Sequence, residues 1–424
     1  MLFNRANKGN KNSYSPVWEE RVGGHPINQT TVFVRRERKK NWAMAVPYFR
    51  LNLVGAETQA VLRVLESGWL TSGSECAAFE REFAEALGGG VHAIAVNSAT
   101  AGLHLALEAA GVGPGDEVIV PDLTFTATAE VVRYLGAEAV FVDVLPHSLC
   151  IDPEEVKRAI TPRTKVIMPV HFGGLGADLA ALQSIASEQG LLIVEDAAHS
   201  FPASHQGLPI GCHGTFATVF SFYANKTITT GEGGMIVTAD ESVAQRCRIM
   251  RLHGIDRDAF RRFQGDSAAW NYDVVAPGFK YNLTDIAAAL GRGQLSRASD
   301  MQQNRTAIAN IYNTMLADLP LELPAEAEDG DTHAWHIYPI RLAHNAPIDR
   351  AALEAALTGA GIGYSVHYTP LHRMSYWRER YNLSDDRFPV TSDYFSRCLS
   401  LPLFSDQTEG EAREVASVVR NALT

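Results

Sequence analysis

The hydrophobic positions along the chain follow two periods, one typical of buried strands and the other typical of amphipathic helices. Short apolar, β-branched runs predict strands at 91–96, 117–120, 139–142, 165–170, 191–194, 216–223 and 235–237. Apolar residues recurring every three to four positions predict helices at 57–67, 77–87, 103–110, 153–159, 179–188, 241–264 and 286–295, with another opening at 124–128. This alternation implies right-handed crossovers and a mainly parallel sheet covered on both faces, whose ligands bind beyond the carboxyl ends of the strands.

The pattern changes on both sides of this alternating region. Beyond it, the sequence predicts a helix to residue 319, a Pro/Glu-rich loop, a strand over 333–342 and a helix at 350–359. Residues 1–43 are polar and basic, which predicts a disordered leader. We therefore expect an α/β fold with a large domain at 44–294 and a smaller α+β domain at 295–424.

Composition narrows the function classes. The net charge of −11 over 424 residues argues against nucleic acid as the main partner, because phosphate contacts need a clustered basic surface. No stretch approaches the roughly 20 apolar residues that span a bilayer, and no signal-peptide core opens the chain, so we expect no membrane partner and a cytoplasmic location. Five cysteines without C-x-x-C spacing predict neither a disulfide framework nor a metal site.

Two ionisable residues follow predicted strands and suggest covalent chemistry. Asp196 ends the run at 191–194, and Lys226 lies in a small polar turn after the run at 216–223. A desolvated lysine is a nucleophile for imine formation, and pyridoxal phosphate (PLP) uses such a lysine together with a carboxylate at its ring nitrogen. Taken singly, Asp196 is also compatible with a helix cap and Lys226 with a solvated loop lysine. A Walker-type phosphate loop is excluded because no glycine precedes Lys226 in F-Y-A-N-K-T.

A helix N-terminus after the first predicted strand offers a site for the cofactor phosphate. The segment N-S-A-T-A-G at 97–102 leads into the helix at 103–110, and free amides at a helix start bind a phosphate dianion. Taken alone, the segment is more typical of an ordinary Ser/Thr N-cap than of a phosphate site at Ala99 and Thr100.

Several segments resemble one known family. E-D-A-A-H at 195–199 and S-F-Y-A-N-K-T-I-T-T-G-E-G-G at 221–234 are similar to the signature segments of the DegT/DnrJ/EryC1/StrS sugar aminotransferases, which are fold-type I PLP enzymes. S-G-W-L-T-S-G at 67–73 and H-Y-T-P-L-H at 367–372 resemble two further family segments. The resemblance extends from about Val46 to the C-terminus.

The resemblance implies roles for individual residues. It makes Lys226 the Schiff-base lysine and the catalytic residue, and Asp196 the partner of the pyridine nitrogen. The other implied cofactor contacts are Phe125 stacking on the ring, His199 at the phenolic oxygen, Ala99, Thr100 and Ser221 on the phosphate, and an asparagine crossing a homodimer interface. The implied substrate contacts are His367, Tyr368 and His372.

The cross-dimer asparagine is where this chain departs from many relatives. They read G-Y-N-Y-R-M-T, whereas this chain has Lys280 at the asparagine position and Asn282 two residues later. The departure resembles a subset that includes the 4-amino-4-deoxyarabinose-forming branch. It leaves open whether Lys280 or Asn282 makes the contact.

The implied activity is amino transfer in amino-sugar biosynthesis. We expect a homodimer with shared active sites that moves an amino group from glutamate to a nucleotide-diphosphate keto-sugar, at C4. A 3-keto-sugar or cyclitol aminotransferase of the same family is the alternative. Lys226 disfavours the family's dehydratases, which carry histidine there, and no glycine-rich cysteine loop suggests a desulfurase. A non-catalytic PLP-binding regulator is the alternative from a different class.

Overall fold

The computed structural model describes residues 45–256 and 272–424, whose main element is a seven-stranded sheet. The strands are β1 (His92–Val96), β2 (Glu117–Pro121), β3 (Glu138–Val142), β4 (Thr164–Ile167), β5 (Leu192–Asp196), β6 (Ser204–His205), β7 (Leu208–Pro209), β8 (Ala217–Ser221), β9 (Gly234–Thr238), β10 (Leu321–Glu322), β11 (Tyr338–Leu342) and β12 (Cys398–Leu401). The large sheet has the order β1-β9-β8-β5-β4-β2-β3. Only β9 runs antiparallel to its neighbours, so the carboxyl ends of β1, β2, β5 and β8 share one edge.

Helices cover both faces of this sheet, which explains the uninterrupted apolar runs of its strands. The described helices are α1 (Gly55–Ser67), α2 (Ser74–Ala86), α3 (Ala99–Ala109), α4 (Ala127–Tyr134), α5 (Pro153–Ala159), α6 (Leu179–Gln189), α7 (Glu241–Met250), α8 (Asp285–Leu295), α9 (Ala298–Leu316), α10 (Arg350–Gly359), α11 (Ser375–Tyr381), α12 (Pro389–Arg397) and α13 (Glu409–Leu423). In β2, Val118 and Val120 pack into one core and Ile119 into another, because successive side chains point to opposite faces.

The C-terminal part builds a second, smaller core. The strands β10, β11 and β12 form an antiparallel sheet, and residues of α9, α10 and α13 pack with it. Tyr312 of α9 is fully buried there and donates its hydroxyl hydrogen to the carbonyl of Pro402 at 2.8 Å. Thr408 and Glu411 cap the start of α13 reciprocally.

The predicted α/β class is confirmed, and α5 and α10 have the predicted bounds. Two predictions were wrong. The strand expected over 333–342 begins at Tyr338, because the amides of Ala334 and His336 donate to the carbonyls of Gly174 and Gly173 instead of to a strand. The helix expected over 241–264 ends at Met250, since Leu252 and Ile255 pair with the chain at 274–280; residues 257–264 lie outside the described part.

The described ranges bear on the sequence expectations for membrane spans, disulfides and metal ligands; these ranges contain no disulfide. No helix within them is both long enough and apolar enough to cross a membrane. All five thiols are free, and no cluster of three or more His, Cys, Asp or Glu side chains in these ranges is arranged to hold a metal ion. The leader predicted at 1–43 lies outside the described residues.

Candidate active site

The sheet places the sequence-predicted cofactor residues at one edge. They follow the carboxyl ends of four strands: Ala99 and Thr100 after β1, Phe125 after β2, Asp196 at the end of β5, Ser221 at the end of β8 and Lys226 in the next turn. Because these strand ends lie at the same edge, residues distant in sequence come together there.

Lys226 lies partly buried beside an imidazole that the sequence did not single out. Its Nζ atom is 3.3 Å from Nε2 of His336. The pKa of the Lys226 amine is lowered to about 7: burial is the main cause, Asp196 opposes it, and the nearby Arg305 charge adds to the lowering. At physiological pH, a lysine with this pKa is unprotonated in a large fraction of molecules and can then act as a nucleophile.

Asp196 is buried and held by two donors. The hydroxyl of Thr128 donates to its Oδ2 atom at 2.8 Å, and the amide of Ala198 donates to its Oδ1 atom at 3.1 Å. Burial raises the pKa of the Asp196 carboxyl, while both donors and the Lys226 charge lower it. The carboxylate is therefore oriented and ready to accept a further hydrogen bond or face a positive charge.

His199, Tyr368 and Phe125 form a continuous cluster. The Gly173 amide donates to Nδ1 of His199 at 3.3 Å, so the imidazole proton sits on Nε2, which donates to the Tyr368 hydroxyl oxygen at 2.8 Å. Burial keeps the pKa of His199 well below its usual range. The Phe125 ring lies 5.9 Å from the Tyr368 ring and is 57% exposed, which leaves it open to a planar partner.

The phosphate residues also come together. Ser221 pairs in register with Gly234 of β9, and a Cβ atom on Gly234 would lie 2.7 Å from the Ala99 amide nitrogen, so only glycine permits this approach. Ser98 caps α3 through the Ala101 amide, and no hydrogen bond of the described residues uses the amides of Ala99 and Thr100. Ser221 and two unengaged amides thus lie at one helix start.

The two histidines of H-Y-T-P-L-H have different surroundings. Nδ1 of His367 contacts Ser400 Oγ at 2.8 Å, and burial lowers its pKa to about 4, so this imidazole is neutral. His372 lies between two carboxylates: Nδ1 is 2.5 Å from Asp122 and Nε2 is 2.9 Å from Asp385. Its side chain is fully buried and both ring nitrogens are engaged, so the structure does not bring His372 to the cleft as it does Tyr368.

The two alternatives for a cross-dimer contact also differ. The Asn282 side chain donates to Ser72 Oγ at 2.7 Å, and its backbone forms a bridge with Val96 at the end of β1. Lys280 is exposed, and its amine takes part in no hydrogen bond or ion pair of the described residues. Its backbone forms a bridge with Leu252, and its carbonyl accepts from Asn97 Nδ2 at 3.4 Å.

Sequence reasoning missed three residues of the site: Thr128, His336 and Arg305. Thr128 lies in the T-F-T-A-T segment that opens a helix, where nothing distinguishes it from a capping hydroxyl. His336 fell within the wrongly predicted strand, and Arg305 within a predicted helix. Their contacts join segments far apart in the chain, which no local pattern reveals.

The described donor set fits PLP. A lysine with a pKa near 7, a buried carboxylate, an exposed aromatic face and unengaged helix-start amides match the aldehyde, the ring nitrogen, the ring and the phosphate of this cofactor. Beside Lys226, the buried Nδ1 of His336 and Oδ1 of Asn225 have no hydrogen-bond partner, so polar groups in this region remain unsatisfied. Fold and site together define the class of fold-type I PLP-dependent aminotransferases.

Comparison with known proteins gives the family. The model of the DegT/DnrJ/EryC1/StrS aminotransferase family matches residues 52–420, and the chain belongs to this family. It is a PLP-dependent sugar aminotransferase, as the sequence resemblance implied.

Individual relatives cover nearly the whole chain. The spore coat polysaccharide biosynthesis protein SpsC of Bacillus subtilis (strain 168) is 42% identical over 379 residues, which are 89% of this chain and 96% of SpsC. Spr1654 of Streptococcus pneumoniae, solved in a PMP-form and a PLP-form, is 30% identical; the PMP-form has a TM-score of 0.83 over 89% of this chain and 98% of its own. PseC of Helicobacter pylori, an aminotransferase involved in the biosynthesis of pseudoaminic acid, is 28% identical, with a TM-score of 0.80 over 91% and 99%.

Proposed function

We propose that this sugar aminotransferase takes its amino group from glutamate and transfers it to C4 of a nucleotide-diphosphate keto-sugar. The observation that carries the proposal is the partly buried Lys226 amine, with a pKa near 7, in the same cleft as His367 and Tyr368. The Lys280–Asn282 sequence variant favours C4. SpsC and PseC act in spore coat polysaccharide and pseudoaminic acid biosynthesis, and we propose a comparable place for this chain.

Lys226 performs the proton chemistry in this proposal. When bound, PLP joins its aldehyde carbon to an amine and withdraws electrons from the carbon that carries the amino nitrogen. With the cofactor held there, the incoming amino acid would free the Lys226 amine, which would then take the proton from the amino acid Cα atom as a base and give it back as an acid. Its pKa near 7 suits it to both tasks.

The residues around Lys226 orient and polarise the reacting groups. Asp196 keeps a negative charge in the buried site, where Thr128 and Ala198 hold it. Phe125 offers its open ring face, and the His199–Tyr368 pair places one imidazole and one hydroxyl group at the cleft. The same residues serve both halves of the reaction, so glutamate leaves as 2-oxoglutarate and the sugar ketone leaves as an amine.

Recognition of an anionic substrate must rely on local donors, since the chain carries a net charge of −11. His367 uses Nδ1 for Ser400, which leaves Nε2 for another partner. We propose that His367 and Tyr368 contact the sugar nucleotide. For His372 we propose a structural role, in which it ties the 371–373 turn to Asp122 after β2.

An assay with defined sugars tests the substrate. The PLP-loaded enzyme, incubated with glutamate and thymidine- or uridine-diphosphate 4-keto-sugars, is expected to form 2-oxoglutarate and an amino sugar in equal amounts. The 3-keto-sugars and a cyclitol ketone serve as matched acceptors and should react at least about 100-fold more slowly, since a misplaced ketone loses productive alignment. Preference for a 3-keto-sugar would contradict the C4 assignment, and no turnover with any acceptor would favour a regulator.

We further propose a homodimer in which Lys280 reaches the phosphate of the partner's site. Lys280 is exposed and has no side-chain partner among the described residues, whereas Asn282 is engaged by Ser72. Tyr272, Val274 and Val275 just before it are each about half exposed, at 47%, 55% and 52%, as expected for a surface covered by a second copy.

Mixing two inactive variants tests the shared site. Lys226→Arg and Lys280→Ala homodimers should each be weakly active, but a hybrid contains one site with an intact Lys226 and an intact Lys280 from the other chain. After denaturation and refolding together, the equimolar mixture is expected to recover about one quarter of wild-type activity. Random pairing makes about half of the dimers hybrids, and one of the two sites in each hybrid is restored. A mixture with Asn282→Ala in place of Lys280→Ala is the comparison. A Lys280→Ala homodimer with near wild-type activity, together with a weakly active Asn282→Ala homodimer that recovers activity on mixing, would assign the contact to Asn282.

A further inference from the structure

Arg305 of α9 is a buried cation without a carboxylate partner among the described residues. It is 2% exposed. Its Nε donates to Ser405 Oγ at 3.0 Å, and its Nη1 donates to the carbonyls of Trp335, Leu403 and His336 at 3.0, 3.2 and 3.3 Å. All of these acceptors are neutral. Burying a charge that only neutral groups solvate costs stability, so such a charge calls for a functional explanation.

Two chains of hydrogen-bond contacts connect Arg305 with Lys226 or with the residue next to it. Arg305 holds the carbonyl of His336, and the imidazole of His336 lies 3.3 Å from the Lys226 Nζ atom. Arg305 also binds Ser405, whose hydroxyl lies 3.5 Å from the carbonyl of Thr227, the residue after Lys226. Arg305 and Lys226 line the same small cavity. The guanidinium is therefore close to the amine and braces the segments on either side of it.

We propose that Arg305 is a positioning residue for the amine chemistry: its uncompensated charge adds to burial in disfavouring the protonated form of Lys226, against the opposing charge of Asp196, and its hydrogen bonds hold His336 beside the amine. This inference rests on the proposed role of Lys226. The sign of the effect follows from electrostatics, since a like charge in a low-dielectric site disfavours the ammonium form. The lowering of the Lys226 pKa by Arg305 supports it. A purely structural brace would hold the same segments without affecting protonation of the amine.

Protonation of Lys226 can be measured in the cofactor-free full-length chain. The rate of acetic anhydride acylation is followed against pH, and mass spectrometry of the peptide carrying Lys226 gives the apparent pKa of that amine. Arg305→Met, which removes the charge and keeps an unbranched side chain, is expected to raise this pKa by about one unit or more. Arg305→Lys, which keeps the charge, should restore most of the wild-type value. An unchanged pKa in folded Arg305→Met would overturn the proposal.

A second pair of variants leaves Arg305 in place. Ser405→Asp supplies a carboxylate directly beside the guanidinium and neutralises its field, so it should also raise the Lys226 pKa by about one unit. Ser405→Asn has the same shape without the charge and should leave the pKa within a few tenths of wild type. Equal values for the Asp and Asn variants would refute the electrostatic role even where Arg305→Met does not fold.

Kinetics separate this inference from the proposed function. In Arg305→Met and Ser405→Asp, glutamate-dependent turnover at pH 7 should fall about tenfold and recover as the pH is raised by one to two units, because a higher fraction of the amine is then neutral. Absence of turnover in the wild-type enzyme would refute the proposed function alone. The pKa comparison of the cofactor-free chains would still decide the role of Arg305.

Discussion

Replacing Lys226 by arginine is expected to reduce amino transfer by at least about 1,000-fold, the scale seen when a covalent nucleophile is removed. Arginine retains the positive charge but stays protonated above pH 12, so it offers no free amine to an aldehyde. It also has no neutral form at pH 7 with which to move a proton, whereas burial sets the pKa of Lys226 to about 7. Steady-state turnover with glutamate and the preferred keto-sugar measures the loss.

A second lysine provides the matched control. Lys165 donates to the carbonyl of Gly111 and lies beside Asp116, away from the cleft. Lys165→Arg keeps the charge and both acceptors within reach, so its turnover should stay within about twofold of wild type. Wild-type turnover in Lys226→Arg would show that another amine carries the chemistry, and it would remove the basis of the proposed function.

Replacing Asp196 by asparagine is expected to cost about 3–4 kcal/mol of transition-state stabilisation, which is on the order of 100- to 1,000-fold in kcat. Asparagine has nearly the same shape; its oxygen can still accept from the Ala198 amide, and its NH2 group can donate to the Thr128 hydroxyl oxygen. It lacks the negative charge that keeps the cofactor ring nitrogen protonated, so electron withdrawal by the ring is weaker. Single-turnover kinetics with glutamate report this step directly.

Thr128→Val distinguishes loss of charge from loss of orientation at Asp196. It removes the hydroxyl that donates to Asp196 Oδ2 but leaves the carboxylate in place. One neutral donor to a charged acceptor contributes about 1.5–3 kcal/mol, so the loss should be smaller than for Asp196→Asn. If Asp196→Asn retains wild-type kcat, the charge of Asp196 is not part of the chemistry.

The sheet and the ends of its strands were predictable from local pattern. Apolar runs identified the strands because both sheet faces are covered, and a ligand of a parallel sheet binds where those strands end. The pattern alone predicts Lys226 and Asp196 as candidate site residues, without the family resemblance. The resemblance was needed for Phe125 and His199, since an aromatic or a histidine after a strand is compatible with a place in the core.

Other features depended on packing that no local pattern encodes. The strand predicted from residue 333 begins only at Tyr338, because the turn at Gly173 and Gly174 takes the backbone hydrogen bonds. His372 looks like a cleft residue in sequence, yet Asp122 and Asp385 occupy both of its ring nitrogens. Arg305 looks like an ordinary helix arginine until its neutral acceptors, all at least 30 positions away in sequence, are seen.

Reduction of the PLP-loaded enzyme with sodium borohydride, followed by peptide mass spectrometry, tests the central claim most directly. A cofactor joined through a carbon–nitrogen double bond becomes permanently attached when that bond is reduced. We expect one phosphopyridoxyl group per chain, on the peptide and residue of Lys226, and none in Lys226→Arg, as the covalent role of Lys226 requires. Attachment to a different lysine, or recovery of the cofactor unattached, would contradict it.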